Sequence, residues 1–245
     1  MSETMIEQTT GTQEVAVQDT EAEAREFFAS LHENRSRTYR FLSRLLRKEV
    51  DAELLQTLKS IDYPAETGTP EIDTGHYEIA KFLSNDWPDV LTELAKDYVR
   101  CFIGYGMESH SAAYPYESVY LSEKHLMMQS ARDEVLAVYR SQGVDKQPDW
   151  KEGEDHVALE FEFMAILADR AAEALRAGDE ALHDELAATA AGFMEAHILK
   201  WVPTMLAEVD HRAKTGFYLG VAHTAQGFLK VDEAFLADIT GNTDK

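Results

Sequence analysis

From about residue 25 to residue 238 the apolar side chains of this chain recur at intervals of three and four, and no stretch alternates strictly over the length of a strand. Intervals of three and four gather side chains on one face of a helix, whereas a half-buried strand needs a period of two. The stretch AEAREFFASLHENRSRTYRFLSRLLRKEV shows the pattern, with Phe27, Phe28, Leu31, Tyr39, Leu42, Leu45 and Leu46. The spacing predicts further helices over DAELLQTLKS, over HYEIAKFLSN, and from Asp86 through Leu91, Leu94, Tyr98 and Phe102 to Gly104. Ser118 is expected to start a long helix to about Gln142, with helices following near 154–177, 180–199, 201–213 and 216–238. The expected fold is all-α, a single helical domain of about nine helices.

Charge narrows the partners. The chain carries 23 basic and 45 acidic residues, a formal charge of −22. Such a surface repels nucleic acid phosphates and anionic membranes, and it attracts a basic partner by steering that salt weakens. No run approaches the ~20 apolar residues that span a bilayer, so no stable membrane insertion is expected. The lone Cys101 has no intrachain partner, which agrees with a reducing compartment. Its place beside Phe102 reads as a small core thiol. Residues 1–20 show neither a basic n-region nor an apolar h-region, and a cytoplasmic protein is expected. The segment 1–21 reads as a disordered acidic tail, leaving 22–245 as the helical domain.

Chemistry concentrates in EGEDHVALEFEF, residues 152–163, where acids and a histidine open a helix that otherwise reads as buried. Carboxylates are favoured at the positive end of a helix dipole, so Asp155 as an ordinary N-cap is one reading. His156 paired with Glu160 one turn on is another. The irregular connection GYGMESHSAAYPYE, residues 104–117, adds aromatic surface. No phosphate loop, nucleophile elbow or H-E-x-x-H is present. Two E-x-x-H spacings, Glu180/His183 and Glu208/His211, allow an alternative, a metal-dependent helical-bundle enzyme of the ferritin-like kind. His197 and Trp201 share an apolar stripe with Phe193 and Met194, where a core histidine is expected.

The ordered set of these stretches resembles the TorD/DmsD family of redox-enzyme maturation chaperones over about residues 25–238. A Y-x-x-x-F-x-G helix end is matched by Tyr98, Phe102 and Gly104, and a P-P-W-x-S-V-Y loop by Pro115, Ser118, Val119 and Tyr120. An E-P-x-D-H stretch is matched by Glu152, Glu154, Asp155 and His156, with Gly153 in place of proline. Tyr114 and Tyr116 replace the loop's proline and tryptophan. The resemblance implies a non-enzymatic cytoplasmic chaperone, monomer or homodimer, without a cofactor of its own. It would bind the twin-arginine signal peptide and precursor of a molybdenum-containing reductase and assist cofactor insertion and export. On that reading a groove of Tyr98, Phe102, Tyr114, Pro115, Tyr116, Ser118 and Tyr120 buries the peptide's apolar stretch. Glu154 and Asp155 cap the helix and face a peptide arginine, while His156 orients it or hydrogen-bonds the peptide backbone.

Overall fold

In a computed structural model of the chain, the described residues are 3–104 and 111–241, with side chains described from Thr20 onward. Among them are ten α-helices: α1 (Glu3–Arg47), α2 (Ala52–Ser60), α3 (Pro70–Ser84), α4 (Val90–Tyr98), α5 (Glu117–Leu121), α6 (Ser130–Ser141), α7 (Val157–Ala177), α8 (Glu180–Phe193), α9 (Leu199–Arg212) and α10 (Gly216–Ile239). Two π-helical segments, Val99–Ile103 and Met194–Ile198, continue α4 and join α8 to α9, which leaves nine continuous helical runs. No strand occurs among the described residues, so the all-α expectation holds. α1 begins at Glu3, inside the segment 1–21 expected as a tail; no proline interrupts the sequence there. Residues 105–110 of the connection 104–117 lie outside the described residues.

Two helix pairs carry the core, α1 against α7 and α3 against α10. The three-and-four spacing of α1 turns Tyr39, Leu42, Leu45 and Leu46 inward, each at most 1 % exposed. Tyr39 meets Phe161 of α7 edge-on at 5.5 Å. Each such side chain removed from water contributes about 1.5–3 kcal/mol. Phe27 and Phe28, on the same predicted face, stay exposed. The α3–α10 crossing is set by glycine, because a Cβ on Gly220 would stand 2.5 Å from the Gly75 carbonyl oxygen. Buried polar hubs fix the register of the layers. Asp232 of α10 accepts from Arg35 and, at 2.6 Å, from Tyr39 Oη. Asp97 of α4, wholly buried, accepts from the backbone N–H groups of Lys214 and Thr215 ahead of α10.

Three expected boundaries move. Asp89, not Asp86, caps α4, its carboxylate accepting from Thr92 N at 3.1 Å. The long helix from Ser118 to Gln142 is two helices, because His125 (φ 51°) and Met128 (φ 57°) take left-handed backbone that no α-helix tolerates. The gap expected at residue 200 is absent. Pro203 lacks the N–H that would bond the carbonyl of residue 199, and the wider π segment just before it carries the helix through.

Candidate functional site

The strap 112–121 lies over the start of α7. Its backbone is tied down by Ala113 N donating to Cys101 O (2.7 Å), Val157 N to Pro115 O (3.0 Å) and Glu117 N to Asp155 O (3.0 Å). An isolated antiparallel bridge pairs Tyr116 with His156. The two stretches singled out from sequence therefore meet as one site.

The roles within it differ from those expected. His156, not Asp155, caps α7: its Nδ1 accepts from Ala158 N at 3.0 Å, so the neutral ring carries its proton on Nε2. Burial, aided by the positive charge of Arg47, pulls its pKa down to about 3. Asp155 instead serves α5, accepting Ser118 N at 2.9 Å through Oδ2. It is 0 % exposed, and Oδ1 has no donor. That oxygen lies 2.8 Å from where a Cβ on residue 153 would stand, so Gly153 gives the carboxylate its room. Glu154 forms ion pairs with Arg132 and with Lys146 at 3.0 Å. Burial pushes its pKa up, but the bonds from Arg132 and Lys146 outweigh this and hold it below the usual carboxylate value. Glu154 and Asp155 are thus engaged by the protein itself.

The aromatic residues split into two groups. Tyr98 and Phe102 are core side chains packed on Tyr218, with Tyr98 Oη donating to Leu46 O at 3.2 Å. Tyr116 is buried edge-on to His156 and donates to Glu152. Tyr114 and Tyr120 are half-buried; Tyr114 Oη lies 2.8 Å from Ser111 Oγ, and Tyr120 stacks on Trp201 at 5.4 Å. Pro115 and Ser118 are buried in the strap, and Ser118 Oγ also accepts from Gln129 N. These side chains pack the strap shut rather than lining an open groove.

Beneath the strap is an acidic centre that sequence reasoning did not assign. Glu117 and Glu160 are 1 % and 0 % exposed. His197 Nδ1 lies 3.1 Å from each Glu117 oxygen, and Trp201 Nε1 donates to Glu160 at 3.1 Å. Burial, and next the facing Glu117 carboxylate, push the Glu160 pKa well above the ordinary range. Glu160 Oε1 is buried without a hydrogen-bond partner among the described residues. The signal was present in the spacing: Glu160 stands three after Val157 and four before Met164, on the apolar stripe.

The pairs of the metal alternative are not gathered into one site. His183 Nε2 sits 3.1 Å from His32 Nε2, Glu180 faces Arg25, and Glu208 lies near Arg212 and Tyr120. Among the described residues no group of three His, Cys, Asp or Glu is placed to hold an ion.

Fold and site define an all-helical protein in which a short strap is clamped over a buried acidic centre at the head of a core helix. By match to the model of the nitrate reductase delta subunit over residues 65–207, the chain belongs to that family, the TorD family. The proteins named chaperone protein TorD from Vibrio parahaemolyticus and Photobacterium profundum are similar to it, at 26 % identity over 215 residues and 25 % over 218. These alignments cover 84 % and 85 % of this chain and 96 % and 97 % of the relatives. The relative of that name from Aliivibrio fischeri is 26 % identical over 217 residues, covering 85 % of this chain and 97 % of its own. The family is one of redox-enzyme maturation chaperones, and the chain is not an enzyme. No helix among the described residues is long and apolar enough to cross a membrane.

Proposed function

We propose that the chain is a cytoplasmic chaperone that binds the twin-arginine signal peptide, or the apo-form, of a molybdenum-containing oxidoreductase and assists its cofactor insertion and export. The observation that carries this reading is that the family match, residues 65–207, contains the whole strap and every residue that clamps it. A signal peptide offers a basic n-region followed by an apolar h-region. The charge of −22 favours the first, with exposed Glu152, Asp133 and Glu134 beside the strap as its earliest contacts. A peptide arginine reaches Asp155 only when Tyr114–Ser118 lifts, and its guanidinium then supplies the donor that Oδ1 lacks.

Calorimetric titration with signal peptides of the host's molybdoenzymes tests the reading. Binding near micromolar, roughly 8 kcal/mol, is the expected result. Raising ionic strength from about 0.01 M to about 0.15 M shortens the Debye length from ~30 Å to ~8 Å, so association should slow while dissociation changes little. No binding by any of these peptides overturns the proposal.

A further inference from the structure

The connection between α5 and α6, residues 122–129, turns its largest side chains to solvent. Leu126 is 53 % exposed, Met127 41 % and Met128 62 %, and Leu121 at the end of α5 adds a fourth at 44 %. Single exposed apolar residues are ordinary, but four large ones within eight positions make a patch.

The backbone beneath them is firmly held. His125 N donates to Ser122 O at 3.1 Å and Leu126 N to Ser122 Oγ at 3.2 Å. His125 Nδ1 donates to Val119 O at 2.8 Å, and the Gln129 amide donates to Met127 O at 2.9 Å. Two non-glycine residues, His125 and Met128, are kept at φ 51° and 57°. Both the sterics of left-handed backbone and the hydration of apolar side chains oppose this arrangement. A partner that covers the side chains offsets the second opposition.

The rim says what kind of partner. Glu123, Asp133 and Glu134 are exposed around the patch against one exposed base, Lys124, and Arg132 is taken up by Glu154, so the rim is acidic on balance. An apolar plateau with an acidic rim is complementary to a segment that is basic and then apolar. Methionine suits this task, because its unbranched, polarisable side chain adapts to varied apolar sequences.

We infer that Leu121, Leu126, Met127 and Met128 form a preorganised platform for the apolar stretch of the client's leader segment. The inference rests on the proposed function and relocates the apolar contact. Tyr98 and Phe102 are buried in the core and Tyr116 is buried in the strap, while the platform residues are exposed.

The test uses a synthetic peptide with two adjacent arginines followed by an apolar run of about fifteen residues, and a control truncated before that run. The triple variant Leu126→Gln, Met127→Gln, Met128→Gln should keep the wild-type melting temperature, since all three are exposed. Its affinity for the long peptide should fall by at least about tenfold, and its affinity for the short one should not change. Independently, 13C-methyl signals of Met127 and Met128 in the wild-type chain should shift on adding the long peptide and not the short one. Equal binding of the long peptide by variant and wild type, or unmoved methyl signals, overturns the platform while leaving the proposed function standing. Absence of binding by the wild-type chain overturns both. A wild-type dimer in sedimentation that the triple variant dissolves overturns the inference in favour of a second copy of this chain.

Discussion

His197 Nδ1 stands 3.1 Å from both carboxylate oxygens of Glu117, joining the π segment after α8 to the first turn of α5 across 80 residues of sequence. The strap is thereby anchored from within as well as along its backbone. Glu160 faces this anchor and favours its protonated form, because burial and the neighbouring Glu117 carboxylate both oppose a second charge there. The stability of the closed site is therefore linked to pH through groups that water does not reach.

Glu160→Gln should stabilise the protein at neutral and alkaline pH. The ordinary glutamate value of 4.5 governs the unfolded chain, while burial and Glu117 raise that of the folded one. Above pH 4.5 the unfolded state releases the proton that the native state keeps, so the wild type loses about 1.4 kcal/mol for each pH unit until Glu160 ionises. Glutamine retains an acceptor for Trp201 and gains a donor for Glu117 without titrating. Urea unfolding at pH 5 and pH 8 should show the variant's advantage growing with pH; a constant offset would mean that Glu160 is already ionised.

His156 acts with the opposite sign. Its folded value of about 3 lies below the ordinary 6.5, so between those limits only the unfolded chain takes up the proton. Stability contributed by the neutral ring is complete above pH 6.5 and falls by about 1.4 kcal/mol per unit on acidification. His32, also pulled down to about 3 by burial and by neighbouring Arg35, adds a second such slope. His156→Asn keeps a good N-cap and removes one titration. Its unfolding free energy between pH 6.5 and 5 should lose about half the slope of this pair, and an unchanged slope would show that His156 is not held neutral.

Gly153→Ala tests the seat of Asp155. The new methyl would stand 2.8 Å from Oδ1, and Oδ2 is committed to Ser118 N. Displacing the carboxylate should cost about 1–3 kcal/mol. Amide exchange at Ser118 should quicken while exchange in the α3–α10 pair stays slow. A variant as stable as the wild type would show that the carboxylate has another resting place.

The helical periodicity settled much by itself. Apolar side chains at three and four cannot all be buried except on helices, so the all-α class and the positions of α2, α7 and α10 were legible to within a few residues. Breaks governed by long-range contacts were not. The split of the expected Ser118–Gln142 helix arises from a turn pinned by Val119, Ser122 and Gln129, and neither glycine nor proline marks it in the sequence.

The site divides in the same way. The sequence alone placed acids and a histidine at the head of a buried helix and an aromatic loop before it, because both stretches break the local pattern. Only the tertiary structure decided who bonds whom. A carboxylate at a helix start reads as a cap, yet the antiparallel bridge from Tyr116 to His156 turns Asp155 toward Ser118 and leaves the capping to the imidazole. Glu117, Glu160 and His197 come from three distant segments, and what a buried charge requires is a partner close in space, which spacing along a single chain does not encode.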